Sequence, residues 1–181
     1  ASPDQIPDDT IAISYSVLLE GNAGNIVQAP ENITFSTGTR FRLLLLPSED
    51  MFVYLIHEGT DGQHSFLHPL QGQAVSLEQL AGNQPVELPT QGNYRFDAQT
   101  GNERIYLVAS VERIERIEQL LESTADSLDP AQVKQALDGI RQRMNTGGTF
   151  RKSTGTESSE FSLTTDEETP VMIGTIEFRH K

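Results

Sequence analysis

The chain has 181 residues, a formal net charge of -13 from 26 acidic against 13 basic side chains, and no cysteine. Without cysteine there are no disulfides, thiolate metal centres or thiol nucleophiles. The acidic excess repels polyphosphate backbones and anionic lipid, so no nucleic-acid partner is expected; no window approaches the roughly 18 apolar residues of a membrane span, so no span is expected either.

The length suits one buried core, and a single domain over residues 1–181 is expected. The acidity sits mainly in the first part, where residues 1 to 110 hold 13 acids against 4 bases. The start Ala1-Ser2-Pro3-Asp4 is small, polar and Pro-containing, which is what signal-peptide removal leaves behind; trimming of the chain would look the same. A cysteine-free chain fits a reducing cytosol and an oxidising envelope space equally well.

In chain order, Ile11, Ile13, Tyr15, Val17 and Leu19 alternate with Ala12, Ser14, Ser16 and Leu18, which predicts a strand with one row on a core and the other toward water. Glu20 to Asn25 supplies turn residues, and Ile33 to Phe35 predicts a short strand. In Arg40 to Leu46, Phe41, Leu43 and Leu45 share one face, and the second half is expected to be buried on both. Pro47 to Asp50 is expected to turn the chain into Phe52–His57 as an antiparallel hairpin, and Gly59 to Gly62 to turn it again into Ser65–Pro69. Val86–Leu88, Asn93–Asp97 and Ile105–Ala109 complete a β core over residues 10–110.

From Glu112 the period becomes helical. Ile114, Ile117, Leu120 and Leu121 form one stripe, and Val133, Leu137, Ile140 and Met144 form another, with Asp129 as cap and Pro130 in the first helical position. Residues 111–146 therefore predict a helical hairpin whose apolar face lies on the sheet. Residues 147–169 are rich in Gly, Thr, Ser and acids and predict an exposed loop. Residues 170–181 return to strand pattern, with an apparent change of phase at Gly174 that a β-bulge would produce.

The strand-rich part resembles the bacterial family known as domain of unknown function 4384. The landmarks are Gly38-Thr39-Arg40-Phe41-Arg42, Phe52-Val53-Tyr54-Leu55-Ile56, Phe66-Leu67-His68-Pro69, Leu88-Pro89, and Tyr94-Arg95-Phe96-Asp97 leading to Gly101 through Ser110, in that order. The likeness covers about two fifths of the chain. It departs from the family at Met51-Phe52, where Gly-Tyr is usual, and at His68, where an aromatic is common. The resemblance implies an accessory module of secreted, periplasmic or envelope-anchored bacterial proteins and brings no catalytic residues with it.

Candidate chemistry is sparse. His57, His64 and His68, with Glu58 and Asp61 between them, are the candidate metal ligands, because neutral imidazoles with a carboxylate suit Zn²⁺ and a hairpin would bring His57 near His68. His57, Phe66 and His68 are the candidate interaction residues. Glu103 is expected to accept from Arg40, Arg42 or Arg104, or to cap a loop. Asp8-Asp9, Glu49-Asp50 and Asp166-Glu167-Glu168 are acidic runs without an EF-hand pattern, and Ser65, Ser110 and Ser127 lack a Gly-x-Ser-x-Gly elbow.

These readings combine into a mainly β, antiparallel sandwich-like domain with an inserted helical hairpin and a C-terminal strand returning to the sheet. The expected function is a non-catalytic protein-interaction or scaffolding module of a bacterial cell-envelope or secretion-related protein, periplasmic or otherwise exported, with a protein partner and no cofactor. The alternative is a small hydrolase or metal-dependent enzyme whose site is built from loops.

Overall fold

The computed structural model describes residues 10–20, 26–29, 34–35, 38–70, 77–95, 100–123, 128–144, 149–154, 159–166 and 171–180. The strands are β1 (Thr10–Glu20), β2 (Ile26–Ala29), β3 (Thr34–Phe35), β4 (Arg40–Pro47), β5 (Phe52–Glu58), β6 (His64–His68), β7 (Val86–Leu88), β8 (Tyr94–Arg95), β9 (Gly101–Ser110), β10 (Thr149–Thr154), β11 (Ser159–Asp166) and β12 (Val171–His180). The helices are α1 (Glu115–Leu121) and α2 (Pro130–Met144).

Two sheets form the body. Sheet A runs β10-β11-β1-β4-β7, with β2 also on β1 and β8 on β4; sheet B runs β3-β12-β9-β5-β6. Among the described residues, every pairing is antiparallel except the short parallel contact of β3 with β12. Ile13, Tyr15, Leu43, Leu45, Val53, Leu55, Ile105 and Leu107 belong to a cluster that draws on both sheets. A second cluster joins Tyr54, Ile56, Tyr106 and Val108 of sheet B to Ile117, Leu121, Val133 and Leu137 of the helices. The molecule is therefore a β-sandwich with a helical layer on the outer face of one sheet.

The helices form where their sequences change to helical spacing, and they stay because that spacing meets sheet B. Val133, Ala136, Leu137 and Ile140 stand at i, i+3, i+4 and i+7, all buried. Asp129 Oδ1 accepts from the Ala131 N–H at 3.0 Å, as a cap should, and Pro130 opens α2. Helix α1 has no side-chain cap; the Tyr54 hydroxyl of β5 instead accepts from the buried Ile114 N–H at 3.1 Å, tying the helix start to the sheet beneath it.

Several expectations are corrected. Strands β4 and β5 do not form a hairpin: β4 lies in sheet A and β5 in sheet B, so Pro47 to Asp50 carries the chain across the sandwich. Turn residues fix that the chain reverses, not which sheet it rejoins. The second half of β4 is not buried on both faces, since Leu44 is half-buried and Leu46 is 40% exposed. That double burial belongs to β5 and β9, which lie between sheet A and the helices. In β1 the outward row is more sheltered than expected, with Ala12, Ser16 and Leu18 buried, because β4 and β11 flank the strand.

Residues 147–169 are not simply a loop; they contain β10 and β11, a hairpin that adds to β1 with Leu163 opposite Ile13 and Phe161 opposite Tyr15. Their Thr and Ser content suits strands as well as connections. Gly174 carries no bulge: β12 pairs with β9 without a register shift from Val171 to His180, and the irregularity lies instead between Leu55 and Ile56 where β5 meets β6. The apparent change of phase marks where helical cover ends. Val171 and Ile173 pack toward the helices, while Thr175 and Glu177 on the same face are exposed. Strand β2 was not anticipated, and among the described residues of the run from Asn93, Tyr94–Arg95 pair as a strand. The turn at Gly21 to Asn25, Asp8-Asp9, Asp97, Ser127 and Glu167-Glu168 lie outside the described residues.

Candidate functional site

Four ionisable residues of sheet B fall on one row across four strands. Register places His64 opposite Glu58, Glu58 opposite Arg104, and Arg104 opposite Glu177. Side chains follow the register: His64 Nε2 lies 3.4 Å from Glu58 Oε1, Arg104 Nη1 lies 3.4 Å from Glu58 Oε2, and Arg104 Nε donates to Glu177 Oε1 at 3.2 Å. The Tyr106 hydroxyl donates to Glu58 Oε2 at 2.9 Å, so one carboxylate serves three neighbours. The His64 ring stacks on Tyr106 with centroids 6.5 Å apart, and the Arg141 guanidinium lies 5.6 Å from the same ring.

His64 is 7% exposed, and its Nδ1 makes no hydrogen bond of ordinary geometry, although the Gly62 backbone is close enough to act on the ring. Burial pulls its pKa below the ordinary histidine value; Glu58 opposes that and His57 adds to it. Burial likewise raises the Tyr106 hydroxyl, with the Glu58 carboxylate as the next cause. Burial thus favours the neutral form of each group.

On the opposite face of sheet B, His57 Nε2 lies 3.4 Å from Glu103 Oε2, and Glu103 is 2% exposed. This corrects the expected arginine partners of Glu103. Arg40 pairs with Glu20 at 3.7 Å and Arg42 with Glu87 at 2.8 Å, while Arg104 points to the other face of its strand. The alternation of β9 separates Glu103 from Arg104 although they are neighbours in sequence.

The β5–β6 turn does bring histidines and acids together, but not the expected pair. His57 sits opposite Ser65 and His68 opposite Leu55, so the tight turn closed by Gly59 and Gln63 juxtaposes His64 and Glu58 instead. Among the described residues no group of three or more His, Asp or Glu is placed to hold a metal ion. Asp50 Oδ1 accepts from the Gly82 N–H at 2.8 Å, and Ser110 Oγ accepts from the Glu112 N–H at 3.2 Å, which commits both to local structure. Phe66 is 5% exposed and belongs to the helix-side core, so it offers little surface to a partner.

A cleft of about 500 Å³ opens where the end of β6 approaches the segment after β7 and the start of β8. Leu67, His68, Pro69 and Leu70 form one wall, Leu77 to Leu80 another, and Pro89, Thr90, Gln91 and Tyr94 the third. The peptide bonds before Pro69 and Pro89 are both cis. Tyr94 donates from its hydroxyl to the Leu67 carbonyl at 3.2 Å, its ring packs on Phe41 at 5.5 Å, and burial pushes its pKa up. Burial also lowers the His68 pKa, and His68 Nε2 is buried without a hydrogen-bond partner. Leu70, at the rim, is 58% exposed.

Sequence reading singled out His68 but missed Leu70 and Tyr94 as its companions. An isolated leucine between Pro69 and Gln71 in a polar stretch was the available signal. A second, more open groove of about 560 Å³ lies at the start of α1, lined in part by Arg113, Arg116 and Arg143. Arg113 is engaged there with Glu118, with the Leu77 carbonyl and with the face of Phe52, and Arg116 donates to Gln135 at 3.3 Å.

The fold and these sites define a two-sheet β module with a helical cover, whose charged strand-end residues pair largely with one another. Residues 34–113 match the family model described as Domain of unknown function (DUF4384), so the resemblance carried by the landmarks holds over that segment. The match begins at β3 and stops just before α1, which leaves β1, β2, both helices and β10 to β12 outside it. Searches of the curated proteins and of the solved structures find no match.

Proposed function

We propose that this chain is a non-catalytic protein-interaction or scaffolding module of a bacterial cell-envelope or secretion-related protein. The observation that carries the reading is the cleft beside β6: apolar walls with the 58% exposed Leu70 at the rim, on a sheet where His64, Glu58, Arg104 and Glu177 are engaged with one another. A single exposed leucine is ordinary, but one that continues an apolar cleft is the kind of surface that binding partners cover. The pairing of Glu58 with Arg104, His64 and Tyr106 supports a structural role for that carboxylate, because its two oxygens already serve three neighbours. The envelope address rests on the family likeness alone.

A photo-crosslinking residue at Leu70 in the native cell should give a discrete protein adduct that the same residue at the exposed Gln132 of α2 does not. Fractionation of those cells should place the protein with the periplasm or envelope. Adducts at neither position, together with turnover of ester, peptide or glycoside substrates by the purified chain, would overturn the reading in favour of a hydrolase.

A further inference from the structure

We propose that the arginine-lined groove at the start of α1 docks a short acidic segment of the module's protein partner, with aspartate or glutamate carboxylates pairing with Arg113, Arg116 and Arg143. This names the chemistry of the partner and rests on the interaction reading above.

The groove, about 560 Å³, is lined by Arg113, Ile114, Glu115, Arg116, Gln119 and Arg143. Three arginines and one glutamate give this lining a formal charge of +2, on a chain whose total is -13. The arginines arrive from two helices: Arg113 and Arg116 stand at the start of α1, and Arg143 in the last turn of α2. All three are exposed, and Arg116 spends one donor on Gln135 at 3.3 Å. A guanidinium presents a planar fork of N–H donors that matches a carboxylate, so a groove edged by three of them favours that group over a neutral or cationic one.

Arg113 is already fixed in place. It pairs with Glu118, donates to the Leu77 carbonyl at 2.9 Å and lies 4.9 Å from the centre of the Phe52 ring, so an incoming chain meets it with little loss of side-chain freedom. The bond to Leu77 also joins the two surfaces, because Leu77 lines the cleft beside β6. A partner that covers that cleft reaches the arginines next. The acidic excess limits how long the acidic segment is. It sits mainly in residues 1 to 110, with 13 acids against 4 bases, and repels a long polyanion laid along the body more than a few carboxylates seated among arginines, since exposed charges are screened over about 8 Å at physiological salt.

The test is a titration of the full chain with end-blocked hexaglutamate, hexaglutamine and inorganic pyrophosphate, followed by amide proton–nitrogen correlation spectra at about 20 mM salt. Hexaglutamate should bind saturably, moving amides of Arg113 to Gln119 and of Arg141 to Arg143, and salt at about 200 mM should weaken it several-fold. Hexaglutamine should give no saturable shift. Arg116→Gln should weaken hexaglutamate about threefold and Glu115→Gln should tighten it about as much, the scale of one exposed ion pair. Both side chains are exposed, so neither change removes core packing. The proposal is overturned if hexaglutamine binds as tightly as hexaglutamate, if the two substitutions fail to move affinity in opposite directions, if the shifts fall away from the groove, or if pyrophosphate binds more tightly than hexaglutamate, which would make the ligand a free phosphate compound. The wild-type comparison of the probes decides the matter even where a variant fails to fold. Since the titration reads the groove and the crosslink reads Leu70, failure of this proposal is distinguishable from failure of the interaction reading.

Discussion

Four residues set the local energetics most sharply. Tyr54 holds the Ile114 N–H inside the sheet–helix interface, and Tyr54→Phe would leave that donor buried and unmatched. A loss of about 1–2 kcal/mol is expected, measured by chemical denaturation against the wild type. At Gly82 a Cβ would stand 2.5 Å from the Glu49 Cα, a backbone atom that cannot swing away. Gly82→Ala should therefore cost roughly 1–3 kcal/mol, within the range of overpacking, and lower the melting temperature. His64 and His68 both have pKa values depressed by burial from the ordinary 6.5, Glu58 partly countering the effect at His64 and His57 adding to it. The unfolded chain then takes up protons first as the pH falls, so stability is full above about pH 6.5 and declines as pH drops through the lowered folded values. Melting scans at about pH 7.5 and pH 5.5 should show the acidic sample melting lower, and His64→Gln should shrink that difference. Equal pH dependence in His64→Gln would remove that residue from the account. None of these roles is visible in the sequence: Tyr54 reads as one more aromatic in a strand, and the burial of His64 depends on Leu128 and α2 arriving from more than sixty residues away.

At the scale of elements, the inserted hairpin was legible because helical spacing, a cap and an N-terminal proline coincide at Asp129-Pro130. Asp129→Ala should cost about 1 kcal/mol, read as a lower denaturation midpoint. Strand β12 was legible as a strand, and its consequence is larger. It lies between β3 and β9, contributing Met172 and Phe178 to the inter-sheet core and Val171 to the helical side. Each fully buried side chain of that kind contributes roughly 1.5–3 kcal/mol, so removing several approaches the whole stability of a domain. A chain ending at Thr169 should lack a cooperative unfolding transition by circular dichroism. A truncated chain that still melts cooperatively would show that β9 tolerates an open edge. The hairpin β10–β11 was hidden for a compositional reason, as Ser, Thr and Gly serve loops and strands alike and only β1 decides between them.

For the whole molecule, the sandwich with its helical layer explains how so acidic a chain stays compact: apolar side chains meet between the sheets and under the helices, while charged ones pair on strand ends and surfaces. The excess of -13 still repels itself, so raising salt from about 20 to about 200 mM should increase the melting temperature modestly by screening. No change would mean that pairing already neutralises the repulsion. The sequence alone determined which segments alternate, where helical spacing replaces strand spacing, which residue caps α2, and that thiol chemistry has no place here, because each is a property of neighbours along the chain. Only tertiary structure decided that β4 and β5 part into different sheets, that His64 rather than His57 or His68 meets Glu58, and that Leu67–Leu70, Leu77–Leu80 and Tyr94 close on one cleft. Those outcomes depend on strand register and sheet order, and a strand's own residues specify which face is apolar without naming the strand it will pair with.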